Sequence, residues 1–393
     1  MTAPSAARPE RPRRGWTVLT GLLVALTVAI GMIAVPWFLL QDRPGSSAAA
    51  GPRWFGGYVD VTAGGGTAAM ASTTAADAVV LAFVASASQD ACLPSWGGVY
   101  SLAEAAQALD LDGRISRMRQ HGRPVAVSFG GAGNIELAGS CGSVGALAGA
   151  YATVLDRYAV TTMDLDLGTR SLDDPVAGER RAQAVAQLQA NHRARGARLA
   201  VWLTLPAGRG GLGTDGLRSI RQMLQAGVDL SGVNALTAGD DASVHGASMG
   251  ADAVTALTAV HDQLGRLYDD LNVSLPADDA WTIMGATPTI GRTAEHGPVF
   301  ALNDAATVNA FAREHGLARL SMWSANRDRA CAAGAPAADA AAGSCSGIPQ
   351  QDEAFADVLG RGWGNGVADS GIPSPPVSSS APPASTPVPS PDP

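Results

Sequence analysis

Lysine is absent from this 393-residue chain; its basic side chains are all arginine, and acids outnumber bases 35 to 27 for a formal charge of -8. That balance excludes the basic surface nucleic-acid binding needs, so no nucleic-acid partner is expected. The lysine-free, Ala- and Gly-rich composition is what a GC-rich genome produces, and no function is read from it. Histidine is scarce, and none of the 6 residues lies at a metal-binding spacing. No glycine-rich loop behind a strand has the form of a phosphate cradle. "GRGGLGTDG" at Gly208–Gly216 resembles one in composition, but turn geometry after a strand accounts for it. The expectation is a site with neither metal nor cofactor.

Only 4 cysteines are present, Cys92, Cys141, Cys331 and Cys345, and their spacing fits no zinc template. An even number in an extracytoplasmic setting reads as disulfides. Of the three possible pairings, Cys331 with Cys345 is favoured, because the Ala/Gly-rich loop between them has little else to hold it; that leaves Cys92 with Cys141.

The extracytoplasmic setting is read from the N-terminus. Arg8, Arg11, Arg13 and Arg14 precede an uncharged run from Trp16 to Leu40. At 1.5 Å per residue in a helix that run spans a hydrocarbon core of roughly 30 Å. Residues 1–15 are thus expected in the cytoplasm, 16–40 as a single transmembrane anchor and 41–52 as a linker, with everything beyond outside. A cleaved secretory signal is the alternative, since Ala48-Ala49-Ala50 resembles a cleavage site, though a late one. At the other end, residues 364–393 are rich in Pro and Ser and poor in large apolar side chains, which predicts a disordered tail.

Between these ends, residues 53–363 alternate short apolar runs with amphipathic ones. "WFGGYVDVT", "AVVLAFVAS", "PVAVSFGG", "VTTMDLDL", "RLAVWLTLP", "GVNALTA", "WTIMGATPTIG" and "LARLSMWSAN" read as strands. Helical segments are expected over Leu102–His121, Gly142–Tyr158, Gly178–Arg195, Asp215–Ala226, Ala251–Leu271 and Asn303–His315. Eight strands with helical crossovers predict an α/β fold, a (β/α)8 TIM barrel; an open doubly wound sheet gives a similar pattern.

In a barrel the functional groups gather where the strands end, which directs attention to "TTMDLDLG" at Thr161–Gly168. Met163, Leu165 and Leu167 share one phase, facing the helices; Thr162, Asp164, Asp166 and Gly168 share the other, facing the axis. Two inward aspartates about 7 Å apart resist ionising together unless hydrogen-bonded. They mark either a functional site or two acids satisfied structurally by Ser or Arg neighbours.

From about Trp54 to Cys331 the chain resembles the family 18 glycoside hydrolases, in their bacterial chitinase-like branch. "SFGG" at Ser128–Gly131 resembles the family's third-strand S-x-G-G, "TTMDLDLG" stands where D-x-x-D-x-D-x-E is expected, and "GATPTIG" and "SMWSANRD" resemble its seventh and eighth strands. The resemblance implies a site in which a glutamic acid protonates the leaving oxygen, the substrate's N-acetyl group attacks the anomeric carbon, and an aspartate orients that acetamide. It also implies a sixth-strand tyrosine bonded to the acetamide and an eighth-strand tryptophan flooring the sugar site. By position, Asp164 and Asp166 are the motif aspartates and Trp323 the floor. Ser128, Asp240 and Trp96, the last expected at the cleft rim with Tyr100, complete the candidate ligand contacts.

The departures fall where the chemistry would be. The glutamate position is Gly168, the first motif aspartate is Thr161, Gly239 and Asp240 stand where Asp and Tyr would fall, and Thr293-Ala294 replaces an Asn-Asp. Loss of a general acid removes about 10²–10⁴-fold in rate or more. Asp173, Asp174, Asp240, Asp241 and Glu295 are candidate displaced acids; Glu136 matches a family position without catalytic role. The reading is a membrane-anchored, monomeric, degenerate chitinase-like domain that binds an N-acetylglucosamine-containing glycan without cutting it. A chitinase or N-acetylglucosaminidase with a displaced acid is one alternative, and a protein-interaction platform with a closed cleft another.

Overall fold

The computed structural model describes residues 53–363 except 64–65, 67–68, 70–77, 90, 238–247, 293–297, 334–342 and 351. The expected anchor, linker and tail lie outside the described residues, and among those described no helix is long and apolar enough to cross a membrane.

The described chain is built on β1 (Trp54–Asp60), β2 (Ala78–Ser88), β3 (Val125–Gly130), β4 (Thr162–Asp166), β5 (Ala200–Gly208), β6 (Gly232–Thr237), β7 (Met284–Pro288) and β8 (Arg319–Met322). Each pairs in parallel with the next. The eighth returns to the first through Trp54↔Arg319 to Gly57↔Met322, which closes the sheet into a barrel rather than leaving it open. The crossovers carry α1 (Leu102–Ala108), α2 (Leu111–Gln120), α3 (Val144–Tyr158), α4 (Pro175–Ala194), α5 (Thr214–Gln225), α6 (Met249–Asp270) and α7 (Leu302–Glu314).

Strand alternation sorts the core into two parts. Outward-facing Val79, Leu81, Val127, Met163, Leu165, Val201, Leu203 and Val233 pack with Leu147, Val154, Val185, Leu188, Ile220 and Leu257 from the helices. Burying each such side chain stabilises the fold by about 1.5–3 kcal/mol. Inward-facing Trp54, Tyr58, Ala78, Val80, Ala126 and Trp202 form a second, smaller cluster on the axis.

Two local departures from the sequence reading have physical causes. The helix expected over Leu102–His121 is interrupted, because Asp110 adopts a left-handed backbone (φ 49°) between α1 and α2. Ahead of it, Ser101 and Glu104 form a capping box that fixes where α1 begins. The second departure is a hairpin: Ala91–Trp96 folds back antiparallel on the end of β2. Trp96 is therefore no rim residue. It is fully buried at the end of the hairpin, its ring tilted against Tyr158 of α3 and its indole N–H donating to that hydroxyl at 2.9 Å.

Both expected disulfides are present, Cys92–Cys141 and Cys331–Cys345. The first ties the hairpin to the segment after β3, and the second closes the loop after β8.

Candidate functional site

The lower layer of the barrel interior is a closed polar network around Asp164. Its Oδ2 accepts from the Tyr58 hydroxyl at 2.8 Å and the Ser128 hydroxyl at 2.7 Å. Its Oδ1 accepts from the Thr204 hydroxyl at 2.7 Å and from Arg319 Nη1 at 2.8 Å. Arg319 is equally occupied: Nε donates to Ser321, Nη2 donates to Tyr58, and its guanidinium lies 4.7 Å from the Trp54 ring centre and 5.4 Å from that of Trp202. Both members of this ion pair are 0% exposed. A dry pair of this kind is tolerated only when nearly every donor and acceptor is matched, as here. Burial, the largest influence, pushes the Tyr58 hydroxyl well above its usual range, so it remains a neutral donor. Asn234 and Thr287 extend the network toward β6 and β7.

One layer up, Asp166 sits in different surroundings. It is buried, and among the described residues its carboxyl group has no hydrogen-bond or ion-pair partner. Burial first, and the Asp164 charge second, push it well above the usual carboxylate range, with Arg319 opposing. Both influences favour the protonated acid, a state that donates a proton or an O–H hydrogen bond.

The backbone around Asp166 explains the paired glycines of "SFGG". The end of β3 swings over β4: Gly131 N–H donates to the Asp166 carbonyl at 2.9 Å. A Cβ on Gly130 (φ +103°) would lie 2.3 Å from that carbonyl oxygen, and one on Gly131 (φ +88°) 2.6 Å from the Phe83 ring. Only glycine fits either place.

Gly168 differs from these two. Its backbone is ordinary and extended (φ -71°, ψ 174°), open to any residue. Yet a Cβ there would meet the Ala132 Cα at 2.8 Å and the Ala132 Cβ at 3.3 Å. The loop after β3 occupies the space through which a side chain at 168 would have to leave.

Trp323, just beyond β8, is half-buried at the mouth and packs against the axial cluster. Its ring stacks on Phe83 with centroids 5.1 Å apart and meets Tyr58 edge-on at 5.9 Å. Two stacked aromatic rings thus stand where the resemblance implies one. Phe83 was not foreseen, because a phenylalanine at the end of an apolar strand carries no signal that separates floor from core. Tyr58, Thr204 and Arg319 were missed as well. Arg319 was legible in principle, as a charge inside "LARLSMWS" on the same phase as Ser321 and Trp323.

The remaining candidates divide cleanly. Ser128 is fully buried and its hydroxyl is engaged by Asp164, so it supports the network rather than facing a ligand. Asp240 lies outside the described residues, as do Asp241, Thr293, Ala294 and Glu295. Asp174 caps α4 through the Val176 and Ala177 N–H groups, and Asp173 is exposed. Glu136 is sealed: its carboxylate takes Arg181 at 2.9 Å, the Tyr151 hydroxyl, and the Ala138 N–H at 3.0 Å. Among the described residues no cluster of His, Cys, Asp or Glu is placed to hold a metal ion.

A closed (β/α)8 barrel with an aspartate pair ending its fourth strand and aromatic rings at its mouth has the build of a glycoside-hydrolase-type domain. Similarity to known proteins narrows that class. The chain is 32% identical over 306 residues to the "Probable bifunctional chitinase/lysozyme" of Escherichia coli (strain K12), an alignment covering 75% of this chain and 33% of that protein. It is 30% identical over 306 residues to Endochitinase 11 of Metarhizium anisopliae, covering 75% of this chain and 56% of that one. The chain therefore spans about a third and about half the length of these curated relatives. Among solved structures, catalytic-site mutants of active domain 2 of a Pyrococcus furiosus chitinase match at 25% identity and a TM-score of 0.64, covering 78% of this chain and 93% of theirs. Such mutants have also been solved with chito-oligosaccharides, again at a TM-score of 0.64, over 80% of this chain and 95% of theirs. No protein-family model matches the chain. The barrel is chitinase-like.

Proposed function

We propose that residues 53–363 form a non-hydrolysing glycan-binding domain that recognises N-acetylglucosamine oligomers at the mouth of the barrel. The observation that carries the reading is the contact at Gly168. The proton donor is missing, and the backbone at Ala132 fills the place its side chain would leave from, so the loss extends beyond one residue. What remains suits binding: the rings of Trp323 and Phe83 offer apolar area with a polar margin, which matches a sugar face, and Asp166 offers a buried polar group above the Asp164 network. The bound chito-oligosaccharides of the Pyrococcus furiosus mutants support the choice of ligand class. The same proposal keeps residues 16–40 as the anchor that holds the domain outside the cell; protease added to intact cells should then remove the domain and leave the anchor behind.

The test is to measure binding and turnover on one preparation of the full chain with the N-acetylglucosamine tetramer. Calorimetric binding without new reducing ends supports the proposal. Absence of binding, with the chain folded, rejects it in favour of a closed cleft.

A further inference from the structure

Asp164 and Asp166 lie two residues apart on β4 and face the same interior, yet among the described residues every side-chain polar partner goes to one of them. Asp164 receives four donors, two on each oxygen, from Tyr58, Ser128, Thr204 and Arg319. A proton on Asp164 would set a donor against one of those four. The negative charge therefore belongs there, where Arg319 neutralises it. Asp166 has no hydrogen-bond or ion-pair partner among the described residues. Among the described residues, the charged and titratable groups that face it are Asp164 on its own strand, Tyr58 from β1 and Arg319 from β8, while β3 and β5 place Gly130 and Thr204 beside it. With Asp166 neutral, Asp164 and Arg319 cancel; ionising Asp166 would leave one uncompensated negative charge on a largely buried group, which is costly.

We propose that the donors gathered on Asp164, with Arg319 as the positioning residue among them, hold the site's negative charge there, and that Asp166 is a neutral carboxyl group that donates its O–H to an oxygen of the bound glycan rather than accepting from its N–H. The inference rests on the glycan-binding reading and deepens it. The matching ligand atom is an amide carbonyl or hydroxyl oxygen placed over the Trp323 and Phe83 floor. Binding is then coupled to pH in a defined sense: affinity holds while Asp166 keeps its proton and falls as pH rises past its titration. Asparagine at 166 keeps a donor that does not titrate, and alanine removes it.

The experiment has two arms on the full chain. In the first, carboxyl carbons of ¹³C-aspartate-labelled protein are followed by NMR, with the Asp166 signal assigned by its loss in Asp166→Asn; the proposal expects a protonated Asp166 at pH 7. In the second, affinity for the N-acetylglucosamine tetramer is measured across pH. Wild-type affinity should fall by about tenfold per pH unit above the midpoint. Asp166→Asn should bind within about threefold of wild type with a flat profile, and Asp166→Ala about tenfold more weakly, the worth of one good hydrogen bond. Arg319→Gln should move the fall to higher pH, because a cation that favours the ionised acid is gone, and Arg319→Lys should leave it in place. A purely structural Arg319 would weaken binding equally at every pH. An ionised Asp166 signal at pH 7, or a flat wild-type profile with binding lost in Asp166→Asn, overturns the proposal. A chain that binds no tetramer at any pH overturns the glycan reading instead, and the first arm still decides where the proton resides.

Discussion

The layer of the barrel around Asp164 and the layer around Asp166 are adjacent, yet one is saturated and the other bare. In the lower layer the buried charge has its counter-ion and both carboxylate oxygens are filled. In the upper one an acid lacks hydrogen-bond partners among the described residues, its expected neighbour is a glycine, and a loop backbone lies against that glycine. The difference teaches that two acids two residues apart on one strand can be placed in opposite ways, one built into the packing that closes the barrel and the other set above it without a partner among the described residues.

Breaking the lower layer should have the largest effect. Asp164→Ala strands the Arg319 guanidinium inside the barrel and should cost about 3–5 kcal/mol in urea unfolding. Replacing both, Asp164→Leu with Arg319→Met, should recover most of that loss, since a buried pair exchanged for apolar groups is often near neutral. A double variant as unstable as the single one would show that the network's value lies outside the ion pair.

The upper layer should answer differently. Gly168→Glu should not restore hydrolysis of a chromogenic N-acetylglucosamine oligomer, and the contact with Ala132 should cost about 1–3 kcal/mol, as overpacking does. Turnover regained by that single change would mean the loop yields easily and the site is only one residue from activity. Asp166→Asn should stabilise the fold at pH 7. The folded acid titrates above its unfolded value, so between the two the native state binds more protons and loses stability as pH rises. Removing the titration should gain about 1.4 kcal/mol for each unit of upward shift, and the gain should vanish below about pH 4. Thermal melts at both pH values read this directly. The smallest effect expected is at the floor: Trp323→Ala should weaken tetramer binding roughly fivefold, about 1 kcal/mol, while leaving the melting temperature of the barrel within a few degrees.

Much of this was legible in the sequence. Six of the eight strands fall inside the apolar runs that suggested them, and β2 and β5 run two residues past theirs, because period-two alternation is a local property and the outward phase is apolar. The cysteine pairing followed from loop composition and elimination. The hairpin of Ala91–Trp96 was hidden because it is short, carries Pro94 and pairs with the polar end of β2; Trp96, beside two glycines, therefore looked like a rim residue when it was core. Of the two aspartates, Asp164 is satisfied by Tyr58, Ser128, Thr204 and Arg319, whereas Asp166 has no such partner among the described residues. No local pattern could separate them, since the deciding donors Tyr58 and Arg319 stand 106 and 155 residues away in sequence. The closure over Gly168 was equally out of reach, being a backbone approach by Ala132 rather than a property of the motif.

The central claim, that the site binds without cutting, is tested most directly by a turnover count. The full chain is incubated with the N-acetylglucosamine tetramer at a hundredfold molar excess, and products are quantified by mass spectrometry beside an Asp166→Ala control. The account predicts saturable binding, and less than one cleavage per protein molecule, indistinguishable from the control. Shorter oligomers accumulating over many turnovers in the wild type and absent from the control would contradict it.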